Sequence, residues 1–210
     1  MDKSLVREFI LHINRFDEKE YLLSTIAYGT APTLKGLKPA SLLSFSIKGR
    51  NLYRLWGKHK QDACKELGLR FFELKETEDR ILVLFYHFEQ LEKHISDKKN
   101  RLFLKSMGYN GSLPLEQSLQ ALKNRFEYIC PHEIGVFLGI PVEDVCGFIR
   151  HKGGKCLFCS YWKVYHEPER ALALFQGYDR AKTSVIYSIV NGGRTDATMD
   201  KRNYPYPAFS

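Results

Sequence analysis

The sequence predicts an α+β protein: a small mixed or antiparallel sheet covered by several helices, with a helical hairpin at about 131–151. Three observations carry this prediction. Two aromatic and aliphatic runs, Leu69–Leu74 and Arg80–Tyr86, flank the polar Lys75–Asp79 and read as a β-hairpin. Around them lie stretches with apolar residues at helical spacing, bounded by capping or breaking residues. From Asn191 the chain turns to Gly, Pro, Asp and Thr without apolar periodicity. That change predicts a single domain over 1–190 followed by a flexible tail over 191–210.

Taken in order, Leu5, Phe9 and Ile13 make the first stretch amphipathic, and acidic residues open a second helix at about 17–28. Two prolines and a glycine mark 30–39 as a loop. The alternation over Ala40–Lys48 fits a strand. Asn51 and Gly68 cap a helix at both ends. After the hairpin come three helical stretches near 87–95, 97–107 and 115–128, the last striped by Leu119, Leu122 and Phe126. Two short helices follow at about 131–138 and 141–151, then a strand over Cys156–His166. A last helix spans Pro168–Val190, with Gly177 as a possible break.

An apolar fraction of 44% with 14 Phe and 12 Tyr is enough to bury a core without staples. The opening Met-Asp-Lys-Ser lacks the apolar run of a secretory leader, and the longest strongly apolar run, Ile81–Tyr86, is far too short to span a membrane. With five cysteines, an odd number, this predicts reduced thiols in a cytoplasmic protein. The net charge of +8 is uneven: Lys35–Lys60 carries seven Lys/Arg and no Asp/Glu. Such a run suits an acidic partner, a small anionic ligand or nucleic acid, or is a solvated face.

Residues 131–150 have the spacing of a helix-turn-helix, with Gly135 where the helices cross and Gly139 at the turn. A DNA reader would place Arg, Asn or Gln in the first turns of its second helix. Here those turns hold Pro141, Val142, Glu143, Asp144 and Cys146, and the carboxylates would face phosphates. Nucleic-acid binding through this element is therefore disfavoured, and a structural helical hairpin is expected.

Cys156 and Cys159 form a C-x-x-C pair that could serve a metal or a dithiol couple, though no second such pair exists. Cys130-Pro131-His132-Glu133 reads as a helix start, with Glu133 reaching back as a capping-box partner. His132 and Glu133 are also the best acid–base candidates in the chain. Lys48-Gly49-Arg50 joins a strand to a helix, where backbone amides could hold a phosphate. Tyr161, Lys163 and Tyr165 alternate with Trp162 and Val164, giving a face able to stack on a planar ligand.

Three segments together resemble an uncharacterised domain-of-unknown-function family of about 200 residues from anaerobic Gram-positive bacteria. They are Ala31-Pro32-Thr33-Leu34 with Gly36 and Lys38-Pro39-Ala40, Pro131–Gly139 continuing to Glu143-Asp144-Val145, and Tyr161–Tyr165. Thr30 stands where the family often has a cysteine. Cys159 matches a family cysteine, whereas Cys156 and Cys130 are particular to this chain. The resemblance implies iron or redox physiology, from neighbouring flavodoxin and iron-uptake genes. It frames the leading expectation, an accessory factor that binds a metal, an anionic cofactor or a flavodoxin-like acidic redox protein. Thr33, Lys38, Tyr161 and Lys163 are the candidate cofactor-binding residues, and Cys156 and Cys159 the candidate metal ligands. The alternatives are a small-molecule enzyme using His132 and Glu133, and a nucleic-acid-binding protein. The cofactor and the oligomeric state stay open.

Overall fold

The two aromatic runs pair as expected. In the computed structural model, which describes residues 2–109 and 114–192, β2 (Arg70–Glu76) and β3 (Arg80–Tyr86) form an antiparallel hairpin. A third strand, β1 (Ala40–Ser46), pairs antiparallel with the other edge of β3, so the order is β1-β3-β2. The central strand is apolar on both faces because both faces are covered. Ile81, Val83 and Phe85 enter one cluster, which includes Phe45 and Trp56. Leu84 and Tyr86 enter a second, with Leu91, Leu119 and Phe137.

The first cluster is roofed by α1 (Lys3–Ile13), α2 (Glu18–Gly29), α4 (Leu52–Leu67) and α10 (Pro168–Val190). Asn51 and Gly68, both left-handed, cap α4 as expected, with the Asn51 side chain accepting from Arg54 N at 3.0 Å. The second cluster lies under α5 (Phe88–Ser96), α6 (Lys98–Ser106), α7 (Leu115–Phe126), the single turn α8 (Ile134–Phe137) and α9 (Val142–Arg150). A short turn of helix, α3 (Ala31–Leu34), links α2 to β1.

Two expectations change. The stretch 156–166 is not one strand but a small hairpin of β4 (Phe158–Cys159) and β5 (Lys163–Val164), because Ser160 N donates to Trp162 O and turns the chain. Gly177 does not break α10, which runs as one helix from Pro168 to Val190 and packs against Leu37 at that point. The tail expected from 191 lies, from 193 on, outside the described residues. Among the described residues no helix is long and apolar enough to cross a membrane.

Candidate functional site

The three segments that are distant in sequence touch one another, and those of Lys38 and of Tyr161–Trp162 also touch α10. Lys38 and Pro39 lead from α3 into β1. Gly139 makes the turn between α8 and α9 with φ +80°, and a Cβ there would lie 2.6 Å from Pro39 Cδ. The β4–β5 hairpin is held to the start of α9 by Asp144. This carboxylate is only 1% exposed and accepts from Trp162 Nε1 at 2.7 Å, Tyr165 N at 2.7 Å and His166 N at 2.9 Å. Three donors satisfy a buried charge that would otherwise be costly. Gly147, on the same helix, lets the Tyr165 ring approach; a Cβ there would sit 2.5 Å from Tyr165 Cγ.

So anchored, the hairpin turn projects Tyr161 and Trp162 onto α10. Trp162 packs edge-on against Phe175 at 4.4 Å, and Tyr161 against Tyr178 at 5.1 Å between centroids. Two ammonium groups lie among these rings. Lys38 Nζ is over the Tyr178 face at 5.8 Å. Lys182 Nζ is 4.9 Å from the Tyr161 centroid and 5.5 Å from that of Tyr28. The site is thus a cage of aromatic rings around two like charges.

Its electrostatics are unbalanced. Neither lysine forms an ion pair or hydrogen bond among the described residues. Burial, reinforced by the charge of Lys182, pulls the Lys38 ammonium down to about 8. Burial also lowers Lys182, against the opposing pull of Asp179. The carboxylate that acts on Lys182, Asp179, accepts from the Tyr161 hydroxyl at 2.8 Å. Burial keeps the Tyr178 phenol protonated well above its ordinary range, so no phenolate offsets the ammonium groups. Two half-buried ammonium groups facing a single carboxylate leave a positive excess that is complementary to an incoming anion.

Of the residues singled out from sequence, Lys38 and Tyr161 lie in this cage. Thr33 is buried nearby, its hydroxyl 2.7 Å from that of Ser41, so it ties α3 to β1. Lys163 points the other way, donating to Gly153 O over the Phe148 ring. Tyr165 stacks on His151. The expected Tyr161–Lys163–Tyr165 face is therefore split, because the strand alternation holds only over Lys163–Val164.

His132 and Glu133 are adjacent in sequence and oppositely placed. His132 is exposed, with its ring edge on Phe148 at 5.3 Å. Glu133 is fully buried, paired with Arg125 and 3.3 Å from the Tyr109 hydroxyl, and its second oxygen has no partner among the described residues. It makes no capping bond, so the capping-box expectation gives way to a buried ion pair. Cys156 is half-buried and Cys159 exposed. Among the described residues no three His, Cys, Asp or Glu side chains gather as a metal site.

Much of the basic stretch is already used. Arg54 and Lys58 both pair with Glu18, and Lys60 pairs with Glu73. Arg50 donates to the carbonyls of Ile13, Asn14 and Phe16, closing the end of α1. That leaves the Lys48-Gly49-Arg50 turn without its arginine for a phosphate. Sequence reasoning missed Tyr28, Tyr178, Asp179 and Lys182. The only local signal is that Tyr178 and Lys182 stand four apart on one helix face, a spacing shared by ordinary core stripes.

A family model described as "Protein of unknown function (DUF3793)" matches residues 26–198. No curated protein and no solved structure matches the chain.

Proposed function

Since the chain belongs to the DUF3793 family of proteins of unknown function, we propose, from the site itself, that it binds a small organic anion with a planar body in the Lys38–Lys182 cage. One observation carries the reading: two lysines share a half-buried aromatic site, neither forms an ion pair among the described residues, and the one carboxylate whose charge reaches Lys182, Asp179, is bonded to the Tyr161 hydroxyl. An ammonium placed there costs stability unless something else compensates, and a bound carboxylate or phosphate would do so. The rings of Tyr161 and Tyr178 supply apolar area for the ligand's planar part, which suits the mix of apolar wall and few polar groups typical of ligand sites.

This reading favours the anionic-ligand form of the accessory-factor expectation. The placement of His132 and Glu133, one exposed and one in a buried ion pair, lends no support to a shared acid–base role. Ion pairing of Arg54, Lys58 and Lys60 within the chain leaves less charge to attract an acidic redox protein or nucleic acid.

The test is calorimetric titration of the protein with pyridoxine 5′-phosphate, benzoate and inorganic phosphate, alongside Lys38→Met and Lys182→Met. The reading expects saturable binding of at least one aromatic anion, weakened about tenfold or more by either substitution and by added salt. Binding of none of the three, or binding indifferent to both substitutions, would refute it.

A further inference from the structure

The cage also holds an amine in a state suited to chemistry. We propose that Lys38 is a carbonyl-condensing nucleophile, forming an imine with an aldehyde or ketone whose carboxylate or phosphate is held by Lys182. The inference rests on the anion-binding reading and adds a covalent step to it. Its geometric basis is the pairing of two ammonium groups across one cluster of rings. Lys38 is over Tyr178 at 5.8 Å, Lys182 is over Tyr161 at 4.9 Å, and the two rings touch. An anion on Lys182 would bring the rest of the molecule toward Lys38.

A lysine attacks a carbonyl only as the free amine, and most lysines at neutral pH are almost wholly protonated. Apolar surroundings and a neighbouring cation are the two recognised ways to release that proton, and both are present here. They bring Lys38 to about 8. At pH 7 that raises the free-amine fraction about 300-fold over an ordinary lysine. The charged and titratable groups on the surrounding elements are Lys182, Asp179 and Tyr178 on α10, Tyr28 on α2, and Tyr161 on the hairpin turn. Asp179 is engaged by the Tyr161 hydroxyl and forms no ion pair with Lys38.

The step balances without an oxidant or reductant. The Lys38 nitrogen lone pair forms the C–N bond, and one amine hydrogen passes to the carbonyl oxygen to give a carbinolamine. The second amine hydrogen leaves with that oxygen as water, and the C=N bond forms. Lys182 keeps its proton throughout and stays paired with the anion.

The experiment uses the full chain with pyridoxal 5′-phosphate as a planar, anionic aldehyde and pyridoxine 5′-phosphate as its non-carbonyl counterpart. After borohydride reduction and proteolysis, mass spectrometry locates the pyridoxyl group. The expected result is labelling concentrated at Lys38 at substoichiometric aldehyde, suppressed by prior pyridoxine 5′-phosphate. Lys38→Met abolishes it, and Lys182→Met lowers it at least tenfold with Lys38 still present. The circular dichroism spectra of both variants are to match that of the parent chain. Labelling scattered over surface lysines, with pyridoxine 5′-phosphate still bound, would overturn the covalent step and leave the anion site standing. Failure of pyridoxine 5′-phosphate, benzoate and inorganic phosphate all to bind, together with scattered labelling, would remove both.

Discussion

Replacing Asp144 by alanine is the sharpest structural perturbation the site offers. The carboxylate is almost wholly buried and accepts three hydrogen bonds, two from backbone amides and one from the Trp162 indole. Hydrogen bonds to a charged acceptor contribute roughly 1.5–3 kcal/mol each, and donors left unpaired in a part-buried site keep their desolvation cost. Allowing for water reaching some of the freed donors, the loss is about 3–4 kcal/mol. With a urea dependence of about 2 kcal/mol per molar, the unfolding midpoint falls by roughly 1.5–2 M. Asparagine keeps one acceptor but turns its amide toward a donor, so Asp144→Asn should cost about 1–2 kcal/mol. Trp162→Phe combined with Asp144→Ala should cost less than the sum of the two, because the pair shares one bond. The assay is urea denaturation followed by circular dichroism and by indole fluorescence. A local loss of the hairpin would appear as a change in Trp162 emission ahead of the main transition. An Asp144→Ala protein with unchanged emission and a midpoint within about 0.25 M of the parent, about 0.5 kcal/mol, would refute the clamp.

Three further outcomes are expected. The Lys38 ammonium falls to about 8 in the folded protein, below its unfolded value, so folding disfavours its charged form. The penalty is complete below pH 8, fades as pH rises from 8 toward about 10.4, and is absent above it. Lys38→Met should therefore stabilise the fold by about 1–3 kcal/mol at pH 7 and flatten the gain with rising pH; equal midpoints for both proteins at pH 7 would contradict this. Burial pushes the Cys64 thiol up to about 12, whereas Cys130 and Cys159 are exposed, so a disulfide reagent should modify the latter two first and Cys64 only after unfolding. Gly147→Ala forces a Cβ to 2.5 Å from the Tyr165 ring and should cost about 1–3 kcal/mol, while Gly57→Ala meets nothing within 4 Å on α4 and should stabilise by about 0.5–1 kcal/mol; the two denaturation midpoints moving in the same direction would count against the packing described.

What the sequence made legible was local. The β2–β3 hairpin follows from two aromatic runs around a polar turn, and α4 from its capping Asn51 and Gly68. What it obscured was convergence. Asp144 reads as a carboxylate suited to a helix N-terminus, and nothing nearby reveals that it receives Trp162 and two amides about twenty residues on. Gly147 is an unremarked glycine until Tyr165 is seen against it. The resemblance marks Lys38, and the aromatic alternation marks Tyr161, yet Lys182 and Tyr178 sit in a long helix where a Tyr and a Lys four apart carry no distinctive pattern. The polar alternation of Tyr161-Trp162-Lys163 misled because a turn inside it reverses the side-chain sense, and periodicity alone does not register a two-residue strand.

The central strand has a consequence for how the molecule comes apart. Alternate side chains of β3 belong to different apolar clusters, and both of its backbone edges are paired. A partial opening that sacrificed one cluster would have to strip one face of a strand whose other face remains packed. Loss of register by a single residue would exchange the two sets of side chains. The helices on the two sides of the sheet are thus expected to unfold together, coupled through β3. The β3 amides, from Ile81 to Phe85, should exchange with solvent hydrogen at one common slow rate, set by global unfolding.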